Sequence, residues 1–167
     1  MLRLSLTFLV LTTAQTVQAQ PRPLTMDSLS CMSWNQLEAI YRQFEGGTMP
    51  CGYYKGKAIY CKGRFGSRLR SGLTKLVWEG KHFECDTIVN QWKAVKMLPG
   101  KVYRGKSWYD GKPSIILDYR NSSLLWRKVR DEIRQVGPNL YLGIMHIEKK
   151  CEPEMRCFFI LEKQCCK

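Results

Sequence analysis

Histidine is almost missing from this sequence: His82 and His146 are the two in 167 residues. No CxxC pair accompanies them, so a zinc site built from nitrogen and sulfur ligands has too few donors at suitable spacing, and no metal is expected. Acid is scarce as well, with 14 Asp and Glu against 27 Lys and Arg and a formal net charge of +13. Long apolar runs are lacking: the one near the start, Leu4 to Leu11, is about half of the roughly 20 residues that span a bilayer, so no transmembrane anchor is expected. Phosphate-binding loops, the G-x-S-x-G nucleophile motif, internal repeats and low-complexity tracts are missing too. No cofactor is implied, and no reaction is named.

What is present points to an exported domain. Arg3, the apolar run and the small residues ending Val17-Gln18-Ala19 read as a signal peptide over residues 1–19, cleaved after Ala19. Residues 20–30, with Pro21, Pro23 and Ser28, read as a linker, and 31–167 as a single domain. The expected location is secreted or periplasmic. Cys31, Cys51, Cys61, Cys85, Cys151, Cys157, Cys165 and Cys166 all follow the cleavage site, an even number suited to disulfides in an oxidising compartment. If 51–61 is a strand its ends lie roughly 30 Å apart, too far for a disulfide, so Cys51 and Cys61 bond elsewhere. Cys151 and Cys157 flank a short loop and are placed to close a hairpin; the remaining connectivity stays open.

Ser33 and Gln36 form a capping box ahead of Leu37, Ile40, Tyr41 and Phe44 at helical spacing, and Gly46-Gly47 ends that helix. A second helix is expected after Asn121, Ser122 or Ser123, with Trp126, Val129, Ile133 and Val136 as its apolar stripe and Gly137-Pro138 as its stop. Its other face, Arg127, Lys128, Arg130, Asp131 and Arg134, reads as solvated charge. Asp131 and Glu132, adjacent on a helix, point apart and make no carboxylate pair. Alternating segments at 52–61, 73–83, 92–98, 101–109, 113–119, 139–148 and 156–163 read as antiparallel strands, with turns at Pro99-Gly100 and Asp110-Gly111. Seven or so strands with two short helices predict a mainly β fold, a disulfide-stabilised, lipocalin-like antiparallel β-barrel, because closure removes exposed edges.

In "GYYKGKAIYC", Tyr54, Gly56, Ala58 and Tyr60 share one strand face, assigned to the interior. A glycine beside Tyr54 leaves room for a chain segment or a ligand. "LTKLVWEGKHF" repeats the device, with Trp78, Gly80 and His82 on one face when no bulge intervenes. Gly52-Tyr53-Tyr54-Lys55-Gly56 resembles the motif that names the GXWXG domain, with Tyr54 where that family has tryptophan, and "WEGKHF" resembles its second signature. "PSIILDY", "LYLGIM" and "CFFILEK" are similar to the partner domain of unknown function (DUF4334) that commonly follows it. The resemblance covers most of the chain after residue 19 and implies a divergent secreted member with a compact lipocalin-like barrel. It brings no reaction, substrate or cofactor.

His82, beside Trp78, is the leading candidate for a titrating side chain, ahead of His146. Asp118 is an acid in an apolar strand, placed either to orient a ligand or to begin the turn at Asn121. The basic run "KGRFGSRLR", Lys62 to Arg70, suits an anionic surface or polysaccharide without nucleic-acid specificity. Asn121-Ser122-Ser123 matches the N-glycosylation pattern. The reading that follows is a binding protein holding a small apolar or aromatic ligand near Tyr54, Gly56, Tyr60, Trp78, Gly80, His82 and Asp118. Two alternatives stand beside it: a surface module gripping an anionic polymer through its basic exterior, and a small-barrel enzyme with His82 or Asp118 as base.

Overall fold

The alternation that starts at Gly52 continues around a closed antiparallel barrel. The computed structural model describes residues 23–61, 78–93, 95–122, 124 and 126–164. Its strands are β1 (Gly52–Cys61), β2 (Trp78–Glu84), β3 (Thr87–Trp92), β4 (Val95–Lys106), β5 (Pro113–Asp118), β6 (Val129–Gly137), β7 (Leu140–Ile147) and β8 (Glu154–Lys163). Each pairs with the next in chain order, and β8 returns to β1. Because neighbours run antiparallel, the end of β1, the start of β2 and the β3–β4, β5–β6 and β7–β8 connections all lie at one end, here called the upper end. The β2–β3, β4–β5 and β6–β7 connections lie at the lower end.

Two cores result, separated by the barrel wall. Inside it are Tyr54, Phe83, Ile88, Val102, Ile115, Leu117, Ile133, Tyr141, Phe159 and Leu161. Outside, Leu142, Ile144, Phe158 and Ile160 are covered by α1 (Met26–Ser30) and α2 (Trp34–Gln43), which contribute Met26, Leu29, Leu37 and Tyr41. Being buried on both faces, β7 and the apolar part of β8 read as near-continuous hydrophobic runs. α2 begins at the Ser33–Gln36 capping box as expected. Burying Leu37 contributes roughly 1.5–3 kcal/mol by area.

Several expectations are corrected. The segment read as a helix through Trp126, Val129, Ile133 and Val136 is a connection followed by β6. That strand is buried on both faces, so inward Val129 and Ile133 and outward Val136 mix into a spacing that imitates a helical stripe. Arg134 and Asp131 are buried, not solvated. Residues 92–98 and 101–109 are not two strands about a turn: β4 runs through Pro99-Gly100, which a register shift opposite Val89 and Asn90 accommodates as a bulge. The turn into β4 falls instead at Lys93, inside the expected 92–98 strand, and a separate turn at Cys85-Asp86, where Cys85 has a φ of 49°, joins β2 to the unexpected strand β3. The expected turn at Asp110-Gly111 lies between β4 and β5, with Gly111 at a φ of 74°. The proposed linker contains α1, whose Met26 and Leu29 are buried.

Cys61 and Cys157 lie opposite each other on β1 and β8 and form a disulfide. Cys157 is therefore not the partner of Cys151: it sits inside β8, facing the barrel, whereas Cys151 lies exposed in the connection before it. Cys31, Cys51, Cys85 and Cys151 are free and exposed, contrary to the expectation that each is bridged. Cys165 and Cys166 lie outside the described residues, as do the expected signal segment and the basic run Lys62 to Arg70.

Candidate functional site

A β-bulge decides which side chains of β2 enter the barrel. The pairing of β2 with β3 shifts register between Trp78 and Gly80, so Trp78, Lys81 and Phe83 share the interior while His82 faces outward. Gly80 is required there. Its φ of 151° disfavours any side chain, and an added Cβ would overlap the Tyr54 carbonyl on β1. The hollow expected beside Gly56 is occupied by the Trp78 ring, with which an added Cβ at Gly56 would collide. Gly143 accommodates the Phe159 ring in the same manner, and the two rings meet edge to face with centroids 5.8 Å apart.

Lys81 lies at the centre of a polar cluster in this otherwise apolar interior. Its Nζ donates to Asn90 Oδ1 at 2.7 Å, Tyr119 OH at 2.6 Å and Asp131 Oδ2 at 2.8 Å, which uses all three ammonium hydrogens. Tyr119 OH also donates to Asp131 Oδ2 at 3.1 Å, and Trp78 Nε1 donates to Asn90 Oδ1 at 3.2 Å. The Trp78, Tyr119 and Phe159 rings stand 5.2, 5.2 and 5.3 Å from the ammonium nitrogen. Burial lowers the Lys81 pKa, and the Asp131 carboxylate partly opposes that shift. The Tyr119 hydroxyl is pushed well above its ordinary value, first by burial and then by the charge of Asp131.

Asp131 Oδ1 is buried without a hydrogen-bond partner among the described residues, as is Trp92 Nε1 on the last residue of β3. A buried carboxylate oxygen left unpaired is costly, on the order of 1–3 kcal/mol or more. The cluster sits in the upper half: Asp131 lies near the start of β6, Lys81 at the middle of β2, Asn90 near the end of β3, and Tyr119 just beyond β5. Trp126, in the β5–β6 connection, packs against the interior core from that end. Lower down, Tyr54 packs edge to face on Phe83 and Tyr141, with ring centroids 5.5 and 5.6 Å apart.

The sequence-predicted residues divide accordingly. Tyr54, Gly56, Trp78 and Gly80 lie at the β1–β2 seam of the barrel, and the side chain of Tyr60 is outside the described part. His82 is 37% exposed and lies 3.3 Å from Glu84 on the outer surface. Asp118 accepts from the Tyr103 hydroxyl and from the Arg120 backbone N–H, which makes it a strand-end turn residue. In both cases the immediate neighbour, Lys81 or Tyr119, is the one that enters the barrel. Asn90 and Asp131 were also missed. The available signal was a two-residue period, Val129-x-Asp131-x-Ile133, which puts a lone acid in an apolar row.

A second polar cluster lies on the outer face of β6. Arg134 is fully buried and makes a two-pronged contact with Asp110, at 2.5 and 2.9 Å, and also donates to Ser114 Oγ and the Tyr41 carbonyl. Burial alone would raise the Asp110 carboxyl, but the bonds and charge of Arg134 bring it below its ordinary pKa. Glu132 accepts from Ser107 Oγ at 2.5 Å and from the Trp108 N–H at 2.7 Å, and its pKa is raised by burial. His146 Nδ1 stands 3.9 Å from Glu132, and burial together with Arg130 pushes its pKa down to about 4. No group of three or more His, Cys, Asp or Glu suited to a metal occurs among the described residues.

The fold has a solved counterpart. A crystal structure of a protein from Thermomonospora curvata matches with a TM-score of 0.55 and 14% identity, over 80% of this chain and 88% of that one. At that identity the likeness establishes the barrel architecture alone. No family model matches the chain, and no curated protein does.

Proposed function

We propose that this is an exported binding protein whose barrel holds a small, largely apolar or aromatic molecule at its upper end, anchored by a hydrogen-bond donor on Asp131. The observation that carries this reading is the free valence of the buried cluster. Lys81 has no hydrogen left to give, Asp131 Oδ2 is already taken twice, and Asp131 Oδ1 is unmet among the described residues. A hydroxyl, amine or amide N–H on the ligand would satisfy that oxygen, and a ligand acceptor would suit Trp92 Nε1. An acidic ligand is disfavoured despite the basic chain, because it would meet a carboxylate with its open side toward it.

Other features support the reading. A charged pair is an expensive way to fill a barrel core that apolar side chains would fill as well. The Trp78 ring lies across Gly56 beside Lys81, on the upper-end side of the cluster. The resemblance of the Gly52–Gly56 and Trp78–Phe83 stretches to the GXWXG domain accords with a lipocalin-like carrier. The disulfide between Cys61 and Cys157 suits an extracytoplasmic location. No helix among the described residues is long and apolar enough to cross a membrane.

Native mass spectrometry of the protein purified from its own host tests the proposal. A retained small molecule is expected, and it is expected to be lost from a folded Lys81→Met/Asp131→Leu double variant. A bare protein mass across repeated preparations overturns the reading, as does an adduct that persists in the double variant.

A further inference from the structure

The topology concentrates positive charge at the upper end of the barrel. Lys93 lies in the β3–β4 turn, Arg120, Arg127 and Lys128 in the β5–β6 connection, and Lys149 and Lys150 in the β7–β8 connection; all six are exposed. Glu148 and Glu152 are the acids in those connections, and Lys149 pairs with Glu154. The lower-end connections carry Asp86, Asp110 and Lys112, of which Asp110 is committed to Arg134. The charge excess is therefore directional.

Between Arg120 and Arg127 stands Leu124, 82% exposed. A lone exposed leucine is ordinary on a protein surface. This one is the tip of a connection fixed on both sides: Ser122 N–H bonds the Tyr119 carbonyl, Val129 N–H bonds the Trp126 carbonyl, and Trp126 packs against the barrel core. Leu124 is exposed, whereas Trp126, two residues on, packs back into the protein. A recess of about 520 Å³, lined by Lys128, Ile147 and residues 148–152, shares Lys128 with this connection.

We propose that the upper end docks on an anionic lipid surface, with Leu124 entering the headgroup layer and Arg120, Arg127, Lys128 and Lys150 meeting the lipid phosphates and carboxylates. Stable attachment to a bilayer takes two weak signals, a cationic patch and an apolar insertion, and both occur here within one connection. A soluble polyanion would use the cations and leave Leu124 without a role. The docked orientation turns the end nearest Lys81 and Trp78 toward the membrane, where apolar molecules dissolve. The inference does not require that a ligand be bound.

The purified chain, produced without glycan at Asn121, is tested by co-sedimentation with vesicles of phosphatidylcholine alone and with about one third phosphatidylserine. Binding is expected to be at least about tenfold stronger on the anionic vesicles, in proportion to the number of cations engaged. Leu124→Ser, which removes the apolar side chain without changing the charge, is expected to weaken it about tenfold while leaving thermal unfolding and heparin retention unchanged. Arg120→Glu/Arg127→Glu/Lys128→Glu is expected to abolish it. Failure to bind the anionic vesicles overturns the proposal. So does a Leu124→Ser variant that binds them as well as the original, which would assign the patch to a polyanion.

Discussion

The two faces of β6 carry two buried ion pairs, and they are built differently. On the outer face, Arg134 grips Asp110 with two nitrogens and uses its remaining reach on Ser114 and the Tyr41 carbonyl, so both carboxylate oxygens are met. On the inner face, Lys81 and Tyr119 both bond one oxygen of Asp131, and the other oxygen has no partner among the described residues. The outer pair ties α2, the β4–β5 connection, β5 and β6 together and functions as a clamp. The inner pair is saturated on the cation and open on the anion, as a site that awaits a donor would be. Similar chemistry, placed one residue apart in phase, thus separates a structural lock from a candidate anchor.

The largest effect is expected at the clamp. Arg134→Met strands Asp110 and removes the donor to the Tyr41 carbonyl, and should cost about 3–5 kcal/mol. Chemical denaturation would read this as a lower midpoint. Adding Asp110→Leu should restore only part of the loss, since Ser114 and the Tyr41 carbonyl remain unserved. The inner pair sharpens the contrast: Lys81→Met alone should cost a similar few kcal/mol, yet Lys81→Met/Asp131→Leu should recover most of it, because an apolar pair suits that interior. A double variant no more stable than the single one would remove the distinction between clamp and anchor.

The smallest of these effects is acid sensitivity on the outer face. His146 is buried neutral with its pKa pushed from 6.5 to about 4, so between those values the unfolded chain binds more protons than the folded one. Stability attributable to His146 is therefore complete above about pH 6.5, declines as pH falls toward 4, and amounts to about 3 kcal/mol at most. The neighbouring Glu132, whose pKa is raised by burial, has the opposite sign: it favours the fold when protonated, and that contribution is lost as pH rises through its elevated range. Arg130 and Trp108 are the other groups packed on His146. Comparing thermal unfolding of the original chain and His146→Leu across pH 4–7 isolates the histidine contribution, and the variant is expected to show the flatter profile.

The barrel was legible in residues whose local chemistry had one reading. Ser33 and Gln36 cap α2 because their side chains answer each other's backbone three residues apart. Asp110-Gly111 turns the chain because a positive φ suits glycine. β1, β5, β7 and β8 alternate, or run apolar, within segments bounded by turn residues. β6 was misread because a strand buried on both faces, and carrying charge on both, has no solvent side to reveal its period of two.

The candidate site was hidden by a different cause. Local sequence determined that an aromatic strand with bare positions at Gly56 and Gly80 would pack closely against a neighbour, since only glycine tolerates that approach. Which neighbour fills the space, the Trp78 ring on Gly56, depended on two strands meeting in a particular register. The bulge between Trp78 and Gly80 then moved the strand by one residue, placing Lys81 inside and His82 outside. Such a shift reverses every side chain beyond it. Its cause lies in pairing across the sheet, and only the assembled barrel brings Lys81 within reach of Asp131, fifty residues further along the chain.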